Sequence, residues 1–315
     1  MSRPTTILVG VDGSAPSLHA LDWAIAHARR IGWSVHVVCS YALPSFTAAS
    51  LDGGYAALDD ATIQDGARAV LDEAIARVKD SGVEVTATLT TGDAAGVLVE
   101  LSREHGLAIV GTRGRGGFTE RLLGTTSSAL PAHAYCPTIV VPFRDEAGEI
   151  PSDVDSMPPV QPLQRIVVGV DGSPSAELAL QEAIDAAAAW NAEVVAVAGV
   201  PVGAGAGLLA WLPASIDHEQ VLADVAEGLN VIVDRFEAER PGLKVRRIVL
   251  DGTGAELLTE FSQASDLLVV GSRGRGGFAG LLLGSTSQAV LHHARCPVMV
   301  VTKRCADEPD AAEAG

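Results

Sequence analysis

Cysteine is scarce in this chain, with four in 315 residues. Cys136 and Cys296 hold equivalent places before a terminal strand, whereas Cys39 and Cys305 have no such counterparts. That distribution excludes the disulfide framework with which small secreted proteins replace a core, and it fits a reducing compartment. Positive charge is also short: 22 Lys and Arg face 39 Asp and Glu, a formal net charge of −17. A protein that tracks nucleic acid needs a basic stripe, so that class of partner is excluded. The amino terminus does not run from a basic stretch through an apolar core to a small-residue cleavage site, so no signal peptide is expected. The one long uncharged run, Val194 to Ser215, is broken by Gly199, Pro201, Gly203, Gly205 and Gly207, which argues against a membrane-spanning helix. The expected location is the cytoplasm.

What the chain does have is repetition. Gly111-Thr112-Arg113-Gly114-Arg115-Gly116-Gly117-Phe-Thr-Glu-Arg-Leu-Leu-Gly124-Thr125-Thr126 returns as Gly271-Ser272-Arg273-Gly274-Arg275-Gly276-Gly277-Phe-Ala-Gly-Leu-Leu-Leu-Gly284-Ser285-Thr286, 160 positions on (271 minus 111). Ile7-Leu-Val-Gly10-Val11-Asp12-Gly-Ser14 returns as Ile166-Val-Val-Gly169-Val170-Asp171-Gly-Ser173, and His133-Ala-Tyr-Cys136-Pro137 as His293-Ala-Arg-Cys296-Pro297. A period this long is that of a whole domain, not of a solenoid unit. We therefore expect two homologous domains, residues 1–145 and 164–304. The joining segment 146–163, rich in proline and acid, reads as a linker, and the acidic residues 305–315 as a tail. With 48% hydrophobic residues, each half is long enough to bury an ordinary core.

Within one half, Ile7-Leu-Val-Gly-Val is a short continuous apolar run, the pattern of a strand buried on both faces. Ser14 then caps a helix running to about Ile31, with Pro16 in its first turn; Gly32, and Asn191 in the copy, are residue types that accept a left-handed helix end. A strand at Val35–Cys39 (copy Val194–Ala198) is followed by a variable loop and a long helix ending near Gly82 (copy near Gly242). Val83 to Leu89 alternates as a strand. Asp93, and in the copy the capping box of Thr253 and Glu256, opens a helix running to Gly106. Leu107–Val110 feeds the glycine loop, Thr125–Ala134 is a helix, and Thr138–Val141 is the last strand. Strand and helix alternate throughout, so each domain is expected to be an α/β, Rossmann-like parallel sheet of five strands with helices on both faces.

Each glycine loop leaves a buried strand and closes on a helix start, where backbone N–H groups and the helix dipole favour an anion. Glycine at 114 and 274 lets the backbone approach a phosphate. Tight turns that merely permit packing are the plainer account, and duplication with arginines and hydroxyls weighs against it. A Walker A loop requires Gly-Lys-Ser/Thr, which is absent, and Gly10-Val-Asp-Gly13 does not supply the dinucleotide fingerprint. A phosphoacceptor role for Asp12 would require paired acids after the first strand; a plain helix-start role for Asp12 stays open. His133-x-x-Cys136 and His293-x-x-Cys296 bring only two zinc ligands each and read as structural.

On these motifs the chain resembles the tandem, ATP-binding universal stress proteins. Their signature of Gly, two residues, Gly, nine residues, Gly and Ser or Thr is met by Gly111, Gly114, Gly124 and Thr125, and by Gly271, Gly274, Gly284 and Ser285. The resemblance implies ATP lying across the strand ends, accompanied by Mg²⁺ or Mn²⁺ without a dedicated protein cage. It places Gly10, Val11 and Asp12 at adenine and ribose, a main-chain contact to adenine near Ser40, and Val110 and Gly111 at the ribose and first phosphate. Thr112, Arg113 and Gly114 to Gly117 would line the phosphates, and Gly124, Thr125 and Thr126 would close the site. The second-domain equivalents are Gly169, Val170, Asp171, a residue near Val200, Val270, Gly271, Ser272, Arg273, Gly274, Arg275, Gly276, Gly277, Gly284, Ser285 and Thr286. It also implies pairing through the last strands, within the chain or in a homodimer, and an unidentified protein partner.

No catalytic residue is nominated. Hydrolysis needs a positioned water and a base near the terminal phosphate, but His105 lies at a helix end away from the loop and Glu120 has only Gly280 as its counterpart in the repeat. The expected function is nucleotide-dependent regulation in a stress response. A slow ATPase or nucleotide-transferring enzyme is the alternative. Pro131, whose counterpart is Leu291, is expected to loosen the first site or shorten its helix.

Overall fold

The structure is a computed structural model that describes residues 3–42, 60–112, 123–144, 150–151, 153–201, 218–274 and 282–306. Internal contacts divide the chain into two units, Met1–Val160 and Gln161–Gly315.

In the first unit the strands are β1 (Thr6–Gly10), β2 (Ser34–Tyr41), β3 (Val85–Thr91), β4 (Leu107–Gly111) and β5 (Thr138–Val141). They pair in parallel in the order β3-β2-β1-β4-β5. The helices are α1 (Ala15–Ile31), α2 (Asp60–Val78), α3 (Ala94–Leu101) and α4 (Thr125–His133). α1 packs on β1, β4 and β5 and touches α2, which covers β2 and β3; α3 and α4 pack together and cover the same sheet. Ile7, Leu8 and Val9 are wholly buried, which for alternating side chains requires cover on both faces. Each such side chain contributes about 1.5–3 kcal/mol on burial.

The second unit repeats the plan with β6 (Arg165–Gly169), α5 (Pro174–Trp190), β7 (Glu193–Val200), α6 (His218–Glu239), β8 (Val245–Asp251), α7 (Gly254–Phe261), β9 (Leu267–Gly271), α8 (Ser285–His293) and β10 (Val298–Val301). Its strands run parallel in the order β8-β7-β6-β9-β10. The α/β class and the five-stranded parallel sheets stand as the sequence led us to expect.

Local signals explain most helix ends. The Ser14 and Ser173 side chains accept the N–H of Ser17 and Ala176. Gly32 and Asn191 close α1 and α5 at φ +72° and +56°. Asp93 accepts Gly96 N–H at 2.9 Å, and Thr253 with Glu256 forms the capping box. Two helices end earlier than expected. α2 stops at Val78, not near Gly82, and α3 at Leu101, not Gly106. Past α3 the Ser102 hydroxyl turns back to Val99 O (2.6 Å) and accepts Tyr135 N–H (2.9 Å), holding a short 3-10 turn in place of more α-helix.

The expected shortening of the helix by Pro131 is overturned. α4 and α8 each have nine residues, and Pro131 sits buried within α4. A proline near a helix carboxyl end removes a single ladder bond, and the helix still closes through Ala134 N–H to Leu130 O. Part of the joining segment is also ordered against the first unit: Val154 is buried in a 3-10 turn, and Arg77 on α2 bridges Asp22 and Asp155.

Candidate functional site

The strand order reverses between β1 and β4 and between β6 and β9, which are direct neighbours in each sheet. A crevice at the carboxyl ends of such strands is where ligands of open α/β sheets bind. The turn after β1 and the stem of the first glycine loop therefore share one crevice, as do their equivalents after β6 and β9.

The turn is built around its aspartate. Val11 N–H bonds to Val38 O and Val170 N–H to Val197 O, both at 2.9 Å, tying the turn to the second strand. Asp12 Oδ1 accepts Ser14 N–H at 3.0 Å and its hydroxyl at 2.6 Å; Asp171 Oδ1 accepts Ser173 N–H at 3.0 Å. Gly13 and Gly172, at φ +75°, take the left-handed step this requires. One carboxylate oxygen thus shapes the helix start. The other oxygen of Asp171 faces the glycine loop, because a Cβ added at Gly274 would overlap Oδ2.

The loop is closed at its neck. Thr112 N–H bonds to Val141 O (3.1 Å), and Gly124 N–H bonds back to Thr112 O (2.8 Å). Ser127 seals this neck: its hydroxyl donates to Thr112 O (2.7 Å) and accepts Gly124 N–H (2.9 Å). In the copy, Ser272 N–H bonds to Val301 O and Gly284 N–H to Ser272 O, both at 2.8 Å, with the Ser287 hydroxyl on Ser272 O at 3.0 Å. The Ser173 (3.3 Å) and Ser175 hydroxyls hold the Arg273 carbonyl.

A cavity of about 480 Å³ lies between turn and loop in the second domain. Of the residues expected there, Gly169, Val170 and Asp171 form one wall. Val270, Gly271, Arg273 and Gly274 form the second, and Gly284, Ser285 and Thr286 the third. A Cβ at Gly271 would come 2.7 Å from the Ser175 carbonyl carbon, so the strand end approaches α5 as only glycine allows. Two positions lie otherwise than expected relative to this cavity. Ser272 is buried at the neck and does not border the cavity. Gly199, not Val200, does border it. Gly10 pairs with Val38 and Gly169 with Val197, which keeps the offset at 159 along this strand, so Ser40 corresponds to Gly199. In the first domain Gly10, Val11, Asp12, Ser40, Val110, Gly111, Thr112, Gly124, Thr125 and Thr126 occupy the equivalent strand ends, turn and helix start. Arg113, Gly114, Arg115, Gly116, Gly117, Arg275, Gly276 and Gly277 lie outside the described residues.

Sequence reasoning missed Ser127 and Ser287, Ser175, Gly199 and Gly254. A serine three residues after the closing glycine was a readable capping signal. The others have no local signature, since their role comes from neighbours distant in sequence.

Two histidines stand apart from the crevice. His105 precedes β4, at the amino end of that strand; its Nδ1–H donates to Leu101 O (2.6 Å), so its Nε2 accepts from His36 Nδ1–H (2.9 Å). His36 Nε2 in turn accepts the Thr88 hydroxyl at 2.8 Å. Burial, then the neighbouring His105, pushes the His36 imidazole below its usual pKa. Burial raises the Cys296 thiol to about 11, which makes it a poor metal ligand. Among the described residues no group of three or more His, Cys, Asp or Glu is placed to hold a metal, and no helix is long and apolar enough to cross a membrane.

A profile described as the universal stress protein family matches residues 4–142 and again 162–302. A universal stress protein of Mycobacterium tuberculosis is 32% identical over 304 residues, spanning 93% of this chain and 95% of that protein. One from Mycobacterium bovis is 33% identical over 315 residues, spanning 95% and 99%. The crystal structure of a universal stress protein from Archaeoglobus fulgidus matches with a TM-score of 0.68 at 20% identity, covering 96% of this chain and 100% of that one; this likeness shows a shared fold.

Proposed function

The chain belongs to the universal stress protein family, and from that premise we propose that it is a nucleotide-binding regulatory protein with one ATP site in each domain. The observation that carries this reading is the second-domain cavity, where an aspartate, a glycine-loop stem and a helix amino terminus meet. Its size suits a small organic ligand. The first-turn N–H groups of α8 and the dipole behind them favour phosphate, and Asp171 is placed to accept from a ribose hydroxyl. The Gly199 backbone stands where the second strand ends, at the base end of the crevice. Mg²⁺ or Mn²⁺ would enter on the phosphate oxygens and neutralise part of their charge.

Regulation, not turnover, is the reading we favour. Asp171 is the one acidic side chain bordering the cavity among the described residues, and its Oδ1 is engaged by the turn. His105 is committed to Leu101 and His36. Occupancy is then the signal, read by a protein partner or by a second copy of the chain in the cytoplasm.

The test is purification, mass spectrometry of any bound nucleotide, removal of it, and a melt with added Mg-ATP. Saturating ligand stabilises by about 3–4 kcal/mol, or about 5–15 °C for domains of this size. Gly114→Glu combined with Gly274→Glu abolishes the shift while the domains stay folded. A full shift in that folded double variant, or no shift in the parent protein, would refute the assignment.

A further inference from the structure

This inference deepens the nucleotide reading, rests on it, and concerns what sets the glycine loop of the second domain. Ser175 is the second residue of α5 and is wholly buried. A serine in the first turn of a helix ordinarily bonds within its own turn. The Ser175 hydroxyl instead donates to the carbonyl of Arg273, 98 positions further on in the stem of the glycine loop. The Ser173 hydroxyl reaches the same carbonyl at 3.3 Å, but it also caps α5 by accepting Ala176 N–H. Ser175 has no such task in its own helix. Gly271 makes the reach possible, because a Cβ there would lie 2.8 Å from Ser175 Oγ and crowd the hydroxyl.

The effect of this pin follows from the shape of a peptide. A trans peptide sends its C=O and its N–H in opposite directions, so a carbonyl held against α5 turns the Gly274 N–H away from α5. On that side α8 begins: a Cβ built on Gly284 would lie 3.6 Å from Gly274 N. Gly274, Gly284, Ser285 and Thr286 all border the cavity. Among the described residues the Gly274 N–H has no acceptor. No side chain caps α8, so the Ser285 and Thr286 amides belong to a first turn that the helix does not satisfy. A loop amide beside a helix start makes a concavity for an anion.

Glycine at 274 leaves the plane of this peptide loosely held, since it accepts either sign of φ. A flipped plane would present the Arg273 carbonyl oxygen, in place of an N–H, to a phosphate. The buried hydroxyl of Ser175 holds the plane the favourable way. Its counterpart at the offset of 159 is Pro16, which carries no hydroxyl, so this pin belongs to the second domain alone.

We propose that Ser175 is a positioning residue of the second site: by pinning the Arg273 carbonyl it aims the Gly274 N–H at a phosphate of the bound nucleotide. Hydrogen exchange on the full chain, stripped of nucleotide, reads the two domains separately during titration with Mg-ATP and with adenosine, which has no phosphate. In the parent protein Mg-ATP slows exchange of the Gly274 amide. Ser175→Ala removes one oxygen and leaves the Ser173 cap in place, and ligand-free melting checks that the variant folds. In that variant the Gly274 amide loses its protection. Second-domain affinity for Mg-ATP falls about tenfold, the effect of one hydrogen bond to a charged group. Adenosine affinity in the same domain and Mg-ATP affinity in the first domain stay as they were. A merely structural hydroxyl would lower ATP and adenosine affinity together. Equal losses for the two ligands, or an unchanged affinity for Mg-ATP, would overturn the positioning role while leaving nucleotide binding intact. Absence of protection by Mg-ATP in the parent protein would overturn the nucleotide reading, and this role with it.

Discussion

Acid should weaken the first domain through His27. This side chain sits on the buried face of α1, 5% exposed, its ring stacked on Trp23 at 5.0 Å between centroids. Its counterpart in the second domain is Ala186. Burial, with a smaller push from Arg3, lowers the imidazole to about 4, against about 6.5 in the unfolded chain. The direction follows from proton counting. Above pH 6.5 neither state binds the proton. Below it the unfolded chain binds one that the folded domain refuses, so stability is lost as pH falls from the unfolded value through the folded one. Integrating between these values gives a loss of about 2 kcal/mol at pH 5 relative to pH 7.5, rising to about 3 kcal/mol below pH 4. Urea unfolding at pH 7.5 and pH 5.0, read by hydrogen exchange on peptides of each domain, would show the loss as a fall of about 1 M in the first-domain midpoint. His27→Leu keeps an apolar body at the site and removes the proton, so it should remove most of that fall. His19 and His36 are also shifted downward by burial and account for a remainder. In the second domain His292 shifts the same way but is only partly buried. A first-domain midpoint that falls as far in His27→Leu as in the parent protein would refute the reasoning.

Two further outcomes follow from side chains already placed. Thr138 is fully buried on β5 with no partner for its hydroxyl, while its counterpart is Val298; Thr138→Val should raise first-domain stability by about 1 kcal/mol, and a lowered urea midpoint would contradict this. Ser287 seals the second neck through Ser272 O, so Ser287→Ala should cost that domain about 1 kcal/mol and weaken its ATP affinity while the first site is unaffected, which domain-resolved exchange would detect.

The fold was legible because its signals are local. Ser14, Gly32, Asp93 and the Thr253–Glu256 pair announce helix ends within a few residues, and unbroken apolar runs such as Ile7-Leu-Val mark strands buried on both faces. The site was legible in outline for a different reason: duplication separated the glycines and Asp12 or Asp171 from the changing background. What stayed hidden depends on contacts across the sequence. Gly199 and Gly254 are neighbours only once β7 and α7 meet, and a one-residue shift of offset in the loop after β7 moved the expected contact to Val200. The early end of α3 likewise turns on Tyr135 reaching Ser102, a partner that no helical pattern contains.

Beneath each turn there is no slack. A Cβ on Gly10 would lie 2.6 Å from Leu98 Cδ1, and one on Gly169 would lie 2.7 Å from Leu258 Cδ1. The leucine of the crossing helix fills the place of the missing side chain, so strand end and helix mesh like a tooth in a gear. Close-packed interiors compress little and pass strain onward. The Gly169 strand end and α7 are therefore tied at one point, where a packed leucine leaves no room for either to shift without the other.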